Sequence, residues 1–410
     1  MPSRDAPDKE SRRLTVLQVI PALGSGGAER TALELAGGLV ERGHRALVAA
    51  GGGRMAAEWR AAGAEHIALP LASRSPLTVV ANARALARAI HADGVDIVHA
   101  RSRAPAWAAW LACRRTGTAF VTTYHGAYSE RGPLKRLYNA VMARGAVVIA
   151  PSAYIAGLVA ARYHLPPEKI AVVHDGIDVA AFAPEAVTPE RRKALARAWG
   201  LPDGARIVLA VARLSPIKGQ RQLVEAFARP PLADRADLVL VLAGGAEGHG
   251  GYRAELEALI RARGLDRRVH LVDHVGHVAA ALALADVAVQ PSVVPESFGR
   301  AAVEAQAMGV PTIVTALGAA PEVVLAPPQI GEAERTGWHV PADDPNALAA
   351  AIAAALDLPV AERRALARRA QAHAARFSVA AMVEGTLGVY ERVLAAGAGA
   401  PQRIWPPGLS

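Results

Sequence analysis

The segment PESFGRAAVEAQAMG, Pro295 to Gly309, carries two carboxylates, Glu296 and Glu304, with seven residues between them. A helix beginning near Arg300 leaves Glu296 on the loop before it and brings Glu304 into its second turn. The two acids are therefore expected at different depths of one site. Ser297, Phe298 and Gly299 place backbone amides at that helix start, where the partial positive charge favours an anion. Earlier in the chain, VARLSPIKGQ puts Arg213 just after a strand and Lys218 five residues on. Two such cations can clamp a diphosphate, each charge-assisted contact contributing roughly 1.5 to 3 kcal/mol. They would equally suit a solvated surface, but the amides at residues 297–299 supply a second anion-binding feature. A diphosphate held from both sides, with Glu304 accepting from a pair of ribose hydroxyls, accounts for the set.

The first half of the chain has weaker signals. The loop PALGSGGAER, Pro21 to Arg30, follows a strand and opens a helix whose apolar positions Ala32, Leu35, Ala36 and Leu39 share a face. Gly24, Gly26 and Gly27 permit close approach of a ligand, and a tight strand-to-helix turn needs the same residues. The pattern is neither GxGxxG nor a Walker loop. His125 in TTYHG and His99 in DIVHARS both end strands, and each reads as a site residue or as a structural histidine. No Asp-x-Asp follows an apolar strand and no His/Asp/Glu cluster has ligand spacing, so cations and helix dipoles, without a metal, are expected to hold the diphosphate.

These residues must be positioned by alternating strands and helices. LTVLQVI, RALVAA, DIVHA, AFVTTY and AVVIA are strand-like in the first half; RIVLAVA, DLVLVLAG, RVHLVDH, DVAVQPS and PTIVTA are strand-like in the second. Each is followed by an alanine- and leucine-rich helical pattern, which predicts two doubly wound α/β domains. At 410 residues the chain is long enough for both. The expected limits are a disordered leader at 1–13, a first domain at 14–190, a second at 200–377, a C-terminal helix at 378–396 returning to the first domain, and a tail at 397–410. Two such domains facing each other make a cleft, and ligands in such sheets bind beyond the carboxyl ends of the strands.

Composition narrows the function further. Cys113 is the only cysteine, so no internal disulfide or thiolate cluster exists, and a buried apolar role suits it. No apolar run reaches the roughly 20 residues of a bilayer span. The N-terminus, MPSRDAPDKESRR, has no apolar core of a secretion signal, so a cytoplasmic protein is expected. The formal charge of +9 comes almost wholly from arginine. It favours anionic partners without choosing among them. Aromatic residues make up only 4% and the arginines are scattered. Nucleic acid is therefore not the expected partner.

In order along the chain, GGAER, DIVH, TYHG, DGID, RLSPIKG and PESFGRAAVEAQAMGVP resemble the motifs of the retaining, GT-B-fold glycosyltransferases of family 4. The resemblance runs from about Leu14 to Phe377. It implies that Arg213 and Lys218 bind the donor diphosphate and neutralise the leaving group, and that Glu304 holds the donor ribose. Glu296 would contact hydroxyls of the transferred sugar while the amides of Ser297, Phe298 and Gly299 approach its phosphate. His125 would line the donor sugar and acceptor side, and Gly26 and Gly27 would lie near the reaction centre. The donor would be a UDP- or GDP-sugar, with no further cofactor. Two departures stand out. Arg101 occupies a position where many relatives have a second histidine, and Asp273 and His274 replace an apolar residue and a glycine.

The acceptor is read from the first domain. Around RGPLKRLYNAVMARG, a helix from Pro133 onward carries Arg131, Lys135, Arg136 and Arg144 beside Leu134, Leu137 and Tyr138. Such a basic, apolar-edged helix suits the inner membrane surface, and equally an amphipathic helix packed on its own sheet. A glycan or lipid-linked acceptor of the cell envelope, of the lipopolysaccharide-core kind, is the expectation. The alternatives are other GT-B chemistry, such as nucleotide-sugar epimerisation, or a catalytically inactive nucleotide-sugar-binding protein.

Overall fold

A computed structural model describes residues 12–24, 26–128, 132–246, 250–273 and 275–397. The expected leader and tail fall outside these residues except at positions 12, 13 and 397. The chain divides into two compact units, residues 1–150, 159–171 and 383–410 in one and residues 151–158 and 172–382 in the other.

The first unit contains β1 (Thr15–Ala22), β2 (Arg45–Gly51), β3 (Glu65–Ala68), β4 (Ile97–Ala100), β5 (Ala119–Thr123), β6 (Val147–Ala150) and β7 (Ile170–Val172), in sheet order β3-β2-β1-β4-β5-β6-β7. The pairings of β1 with β2 and β4, of β2 with β3, and of β5 with β4 and β6 are parallel. Val16, Leu17, Val19 and Ile20 of β1 are all buried, as a strand covered on both faces requires. The helix Gly27–Glu41 follows β1 and buries Ala32, Leu35, Ala36 and Leu39, the predicted face.

The second unit contains β8 (Arg206–Val211), β9 (Leu238–Ala243), β10 (Val269–Val272), β11 (Val287–Gln290), β12 (Thr312–Thr315) and β13 (Gly337–Val340), in order β10-β9-β8-β11-β12-β13, all parallel. The helix Pro189–Ala198 lies in this unit, and the side chain of Thr188 caps it by accepting from the Arg191 amide. The helix expected near Arg300 spans Arg300–Ala307.

Both sheets have the doubly wound strand order, which reverses between β1 and β4 in one unit and between β8 and β11 in the other. At a reversal the helices that follow the two central strands leave toward opposite faces, so the loops at their carboxyl ends part and leave room for a ligand. These loops carry Gly26 and Arg101 in the first unit, and Arg213, Lys218 and Glu296 in the second.

Candidate functional site

In the second unit the loop after β8 turns through a short 3-10 segment, Pro216–Lys218, and then through Gly219. Gly219 has φ of 71°, and a Cβ there would collide with the carbonyl oxygen of Pro291, the first residue after the neighbouring strand β11. Glycine is thus required on two counts, backbone conformation and space. The amide of Val293 donates to the carbonyl of Ile217 at 3.0 Å, which ties the two loops together. The result is direct contact between two of the candidate side chains: Lys218 Nζ lies 2.6 Å from Glu296 Oε1. The hydroxyl of the buried Ser292 donates to the same oxygen. Arg213 is exposed at the end of β8, and among the described residues its guanidinium has no carboxylate partner. Its backbone carbonyl is held by the side-chain amide of Gln220 at 3.0 Å.

The Glu296 backbone is fixed from the other side. Its carbonyl accepts from the Ala319 amide at 3.0 Å, and Gly318, with φ of 65°, packs so closely on Glu296 that a Cβ would strike its backbone. Ser297 offers its carbonyl to the Ser152 hydroxyl at 2.7 Å. Phe298 is 1% exposed and packs on Phe377, with ring centroids 5.4 Å apart, in a cluster with Ile177, Ala302 and Val303. Its side chain is an anchor, which leaves only its backbone to a ligand. Gly299, at φ of 101°, begins the helix. Among the described residues the amides of Ser297, Phe298 and Gly299 donate to no protein acceptor. Such donors at the head of a helix are ready for an anion.

Glu304 sits one turn into that helix, 12% exposed, with Oε1 at 3.6 Å from Nε of Arg300. Arg300 also donates to the carbonyl of Gly176 at 2.5 Å, within the DGID segment. The sequence reading missed Arg300, Ser292 and Ser152. It also missed Glu322, whose carboxylate accepts from the amides of Ala153 and Tyr154 at 2.8 and 2.7 Å. Burial alone would raise the Glu322 pKa, but His174 and these two amides outweigh it and hold it below its usual value.

In the first unit, His99 and His125 have different roles. His99 is fully buried, with Nδ1 2.7 Å from the Tyr390 hydroxyl and Nε2 2.6 Å from Thr123 Oγ1, and burial drives its pKa well down. Both ring nitrogens are taken, so it is structural. His125 is half-buried after β5, with Nε2 3.4 Å from Nη1 of Arg101. Arg101 is 4% exposed, and its Nε donates to Gln18 Oε1 at 2.8 Å while Gln18 Nε2 donates to the Ala32 carbonyl at 2.9 Å. Burial, and then the Arg101 charge, push the His125 pKa down to about 3. The imidazole is neutral at ordinary pH, and its Nε2, facing a guanidinium, is the acceptor nitrogen. That leaves Nδ1–H as a donor.

Gly26 caps the helix Gly27–Glu41 in an extended conformation, and a Cβ on it would meet the movable Glu29 carboxylate; Gly27 accepts at its carbonyl from the Thr31 hydroxyl. Lys135 and Arg136 are exposed on the helix Pro133–Asn139, beside Leu134 and Leu137, which are 82% and 37% exposed. Arg144 instead lies over the rings of Trp107 and Trp110. Arg131 and His274 lie outside the described residues. Asp273 pairs with Arg253 at 2.6 Å. Cys113 is buried, which pushes its thiol pKa up.

Comparisons with known proteins bear on the family and the fold. The model of Glycosyltransferase Family 4 matches residues 25–181, and that of Glycosyl transferases group 1 matches residues 191–373. A D-inositol 3-phosphate glycosyltransferase of Kineococcus radiotolerans is 34% identical over 75% of this chain and 74% of its own length. A glycosyltransferase from Rickettsia africae superposes with a TM-score of 0.84 at 29% identity, covering 93% of this chain and 99% of that one. HepE of Anabaena, in complex with UDP and glucose, superposes with a TM-score of 0.80 at 21% identity, covering 93% and 100%. With two parallel-sheet α/β units and both family models matched in order, the chain belongs to the family 4, group 1 glycosyltransferases and has their GT-B fold.

Proposed function

We propose that this glycosyltransferase is retaining and metal-independent, and that it moves a sugar from a UDP- or GDP-sugar to a glycan or lipid-linked acceptor of the cell envelope. The observation that carries the reading is the contact of Lys218 with Glu296, at the carboxyl ends of adjacent strands, in the loop that also presents the undonated amides of residues 297–299. A departing nucleoside diphosphate gains negative charge as the bond to the sugar breaks. Arg213, Lys218 and the amides supply preorganised positive charge for it. Glu304 takes the ribose and Glu296 the sugar hydroxyls. In the first unit, His125, neutral and presenting Nδ1–H, offers a hydrogen-bond donor.

Charge supports an anionic acceptor or surface. The first unit holds 24 Lys and Arg against 14 Asp and Glu, whereas the second holds 22 against 23. The whole excess therefore lies in the unit assigned to the acceptor. Exposed Leu134 beside the exposed Lys135 and Arg136 suits peripheral contact with an anionic inner membrane face. Among the described residues no helix is long and apolar enough to cross a membrane. A lipopolysaccharide-core sugar meets these requirements. A second reading, favoured by the name of the Kineococcus relative, is a small phosphorylated cyclitol. The two share a hydroxyl acceptor that carries phosphate.

The test is release of nucleoside diphosphate from a panel of UDP- and GDP-sugars, with acceptors that include core oligosaccharides and D-inositol 3-phosphate. Proton NMR of the product then gives its anomeric configuration. The proposal expects one donor class, a phosphate-bearing acceptor and an anomer matching the donor. An inverted anomer, or no turnover with any sugar nucleotide, would overturn it.

A further inference from the structure

The Glu296 carboxylate is used unevenly. Oε1 takes both internal donors, Lys218 Nζ at 2.6 Å and the hydroxyl of Ser292, while Oε2 has no protein partner among the described residues. Ser292 is 1% exposed, two residues beyond the end of β11. It is itself fixed, because its carbonyl accepts from the hydroxyl of Thr315, at the end of neighbouring β12, at 2.6 Å. Thr315 is 4% exposed. A chain of buried hydroxyl contacts thus runs from one strand end through Ser292 to one oxygen of Glu296.

We infer that Ser292 is the positioning residue of Glu296. It holds Oε1 inside the protein, turns Oε2 toward the ligand, and keeps Oε1 partnered when Lys218 is drawn to the donor diphosphate. The inference rests on the donor-site reading given above for Lys218 and Glu296. Its physical ground is that a partly buried carboxylate that loses its cation must keep another donor or lose stabilisation. A lysine ammonium on a flexible stem can move between two acceptors, whereas a serine hydroxyl, one rotatable bond from a fixed backbone, cannot. With Ser292 in place, the carboxylate does not rotate as Lys218 leaves it. A sugar hydroxyl then meets Oε2 in one orientation, and the anomeric carbon is held in register with the acceptor.

The test compares Ser292→Ala, Ser292→Cys and Ser292→Thr with wild type, measuring kcat and KM for the donor sugar nucleotide and the Kd of the matching nucleoside diphosphate. Cysteine keeps the size and is a weak donor; threonine keeps the hydroxyl. The expected result is a loss of roughly 10-fold or more in kcat/KM for Ala and Cys, from a lost hydrogen bond to a charged group. Nucleoside diphosphate affinity should stay within about twofold, and Thr should recover most of the loss. Wild-type turnover in the Cys variant, or equal weakening of nucleoside diphosphate and intact donor, overturns the assignment. Glu296→Gln in the same assay separates the two claims: if it too retains wild-type turnover, the donor-site reading fails rather than the role of Ser292 alone.

Discussion

Lys218 and Glu296, 78 positions apart in sequence, meet at 2.6 Å because two loops at a strand-order reversal are joined by the Val293–Ile217 backbone hydrogen bond and pack closely at Gly219. The pair is partly shielded, with side chains 26% and 17% exposed. In the proposed donor site, a diphosphate would compete with Glu296 for the lysine, whose charge is already in place.

Lys218→Ala and Arg213→Ala are each expected to lower kcat by about 100-fold or more with the fold intact, since both cations are proposed to stabilise charge that grows on the leaving diphosphate. Steady-state kinetics at saturating donor, with circular dichroism as the fold check, measures this. Near wild-type kcat in both variants would remove them from the mechanism.

Activity should persist in excess EDTA. The neutralising groups proposed here are side chains and amides, and among the described residues no group of three or more His, Cys, Asp or Glu is placed to hold a metal ion. Turnover with and without EDTA checks it. Complete loss, restored by magnesium or manganese, would contradict the cation-clamp account.

The His125 pKa of about 3 lies below the value of roughly 6.5 for an unfolded chain. The unfolded state therefore binds more protons between these two values. The stability contributed by neutral His125 is fully present above about pH 6.5 and is lost as pH falls toward 3. NMR of the His125 ring should show no titration between pH 5 and 8. In Arg101→Met the midpoint should rise, though burial, the larger cause, keeps it below the ordinary value. A wild-type midpoint near 6.5 would show that the ring is not held as described.

Phe298→Ala should cost about 3 to 5 kcal/mol, because a 1%-exposed ring in contact with Phe377 leaves a cavity when removed. Chemical denaturation measures the loss. A change under 1 kcal/mol would mean that the ring is not the anchor of the 297–299 loop.

The ten strands legible in the sequence are β1, β2, β4, β5, β6, β8, β9, β10, β11 and β12. The three missed, β3, β7 and β13, are all sheet edges. An edge strand is covered less completely and need not be a continuous apolar run. Glu65, His66 and Ala68 of β3 are exposed, and β7 has no buried residue. The residues proposed for the donor stand out in the sequence because charge, glycine and spacing lie within short segments. Their supports were not. Ser152 reaches Ser297 across 145 positions, and Glu322 reaches Tyr154 across 168, and nothing local marks such partners. His99 and His125 look alike in sequence, both ending strands. Only the surroundings separate a histidine with both nitrogens engaged from one that offers a donor.

The division of labour between the two glutamates is the central claim, and calorimetric titration of Glu304→Gln and Glu296→Gln with nucleoside diphosphate and with intact donor tests it most directly. Glu304→Gln should weaken both ligands alike, since the ribose is common to them. Glu296→Gln should leave nucleoside diphosphate affinity nearly unchanged and weaken the intact donor, with lower turnover from lost sugar orientation. Equal weakening of nucleoside diphosphate binding by both substitutions would contradict the account.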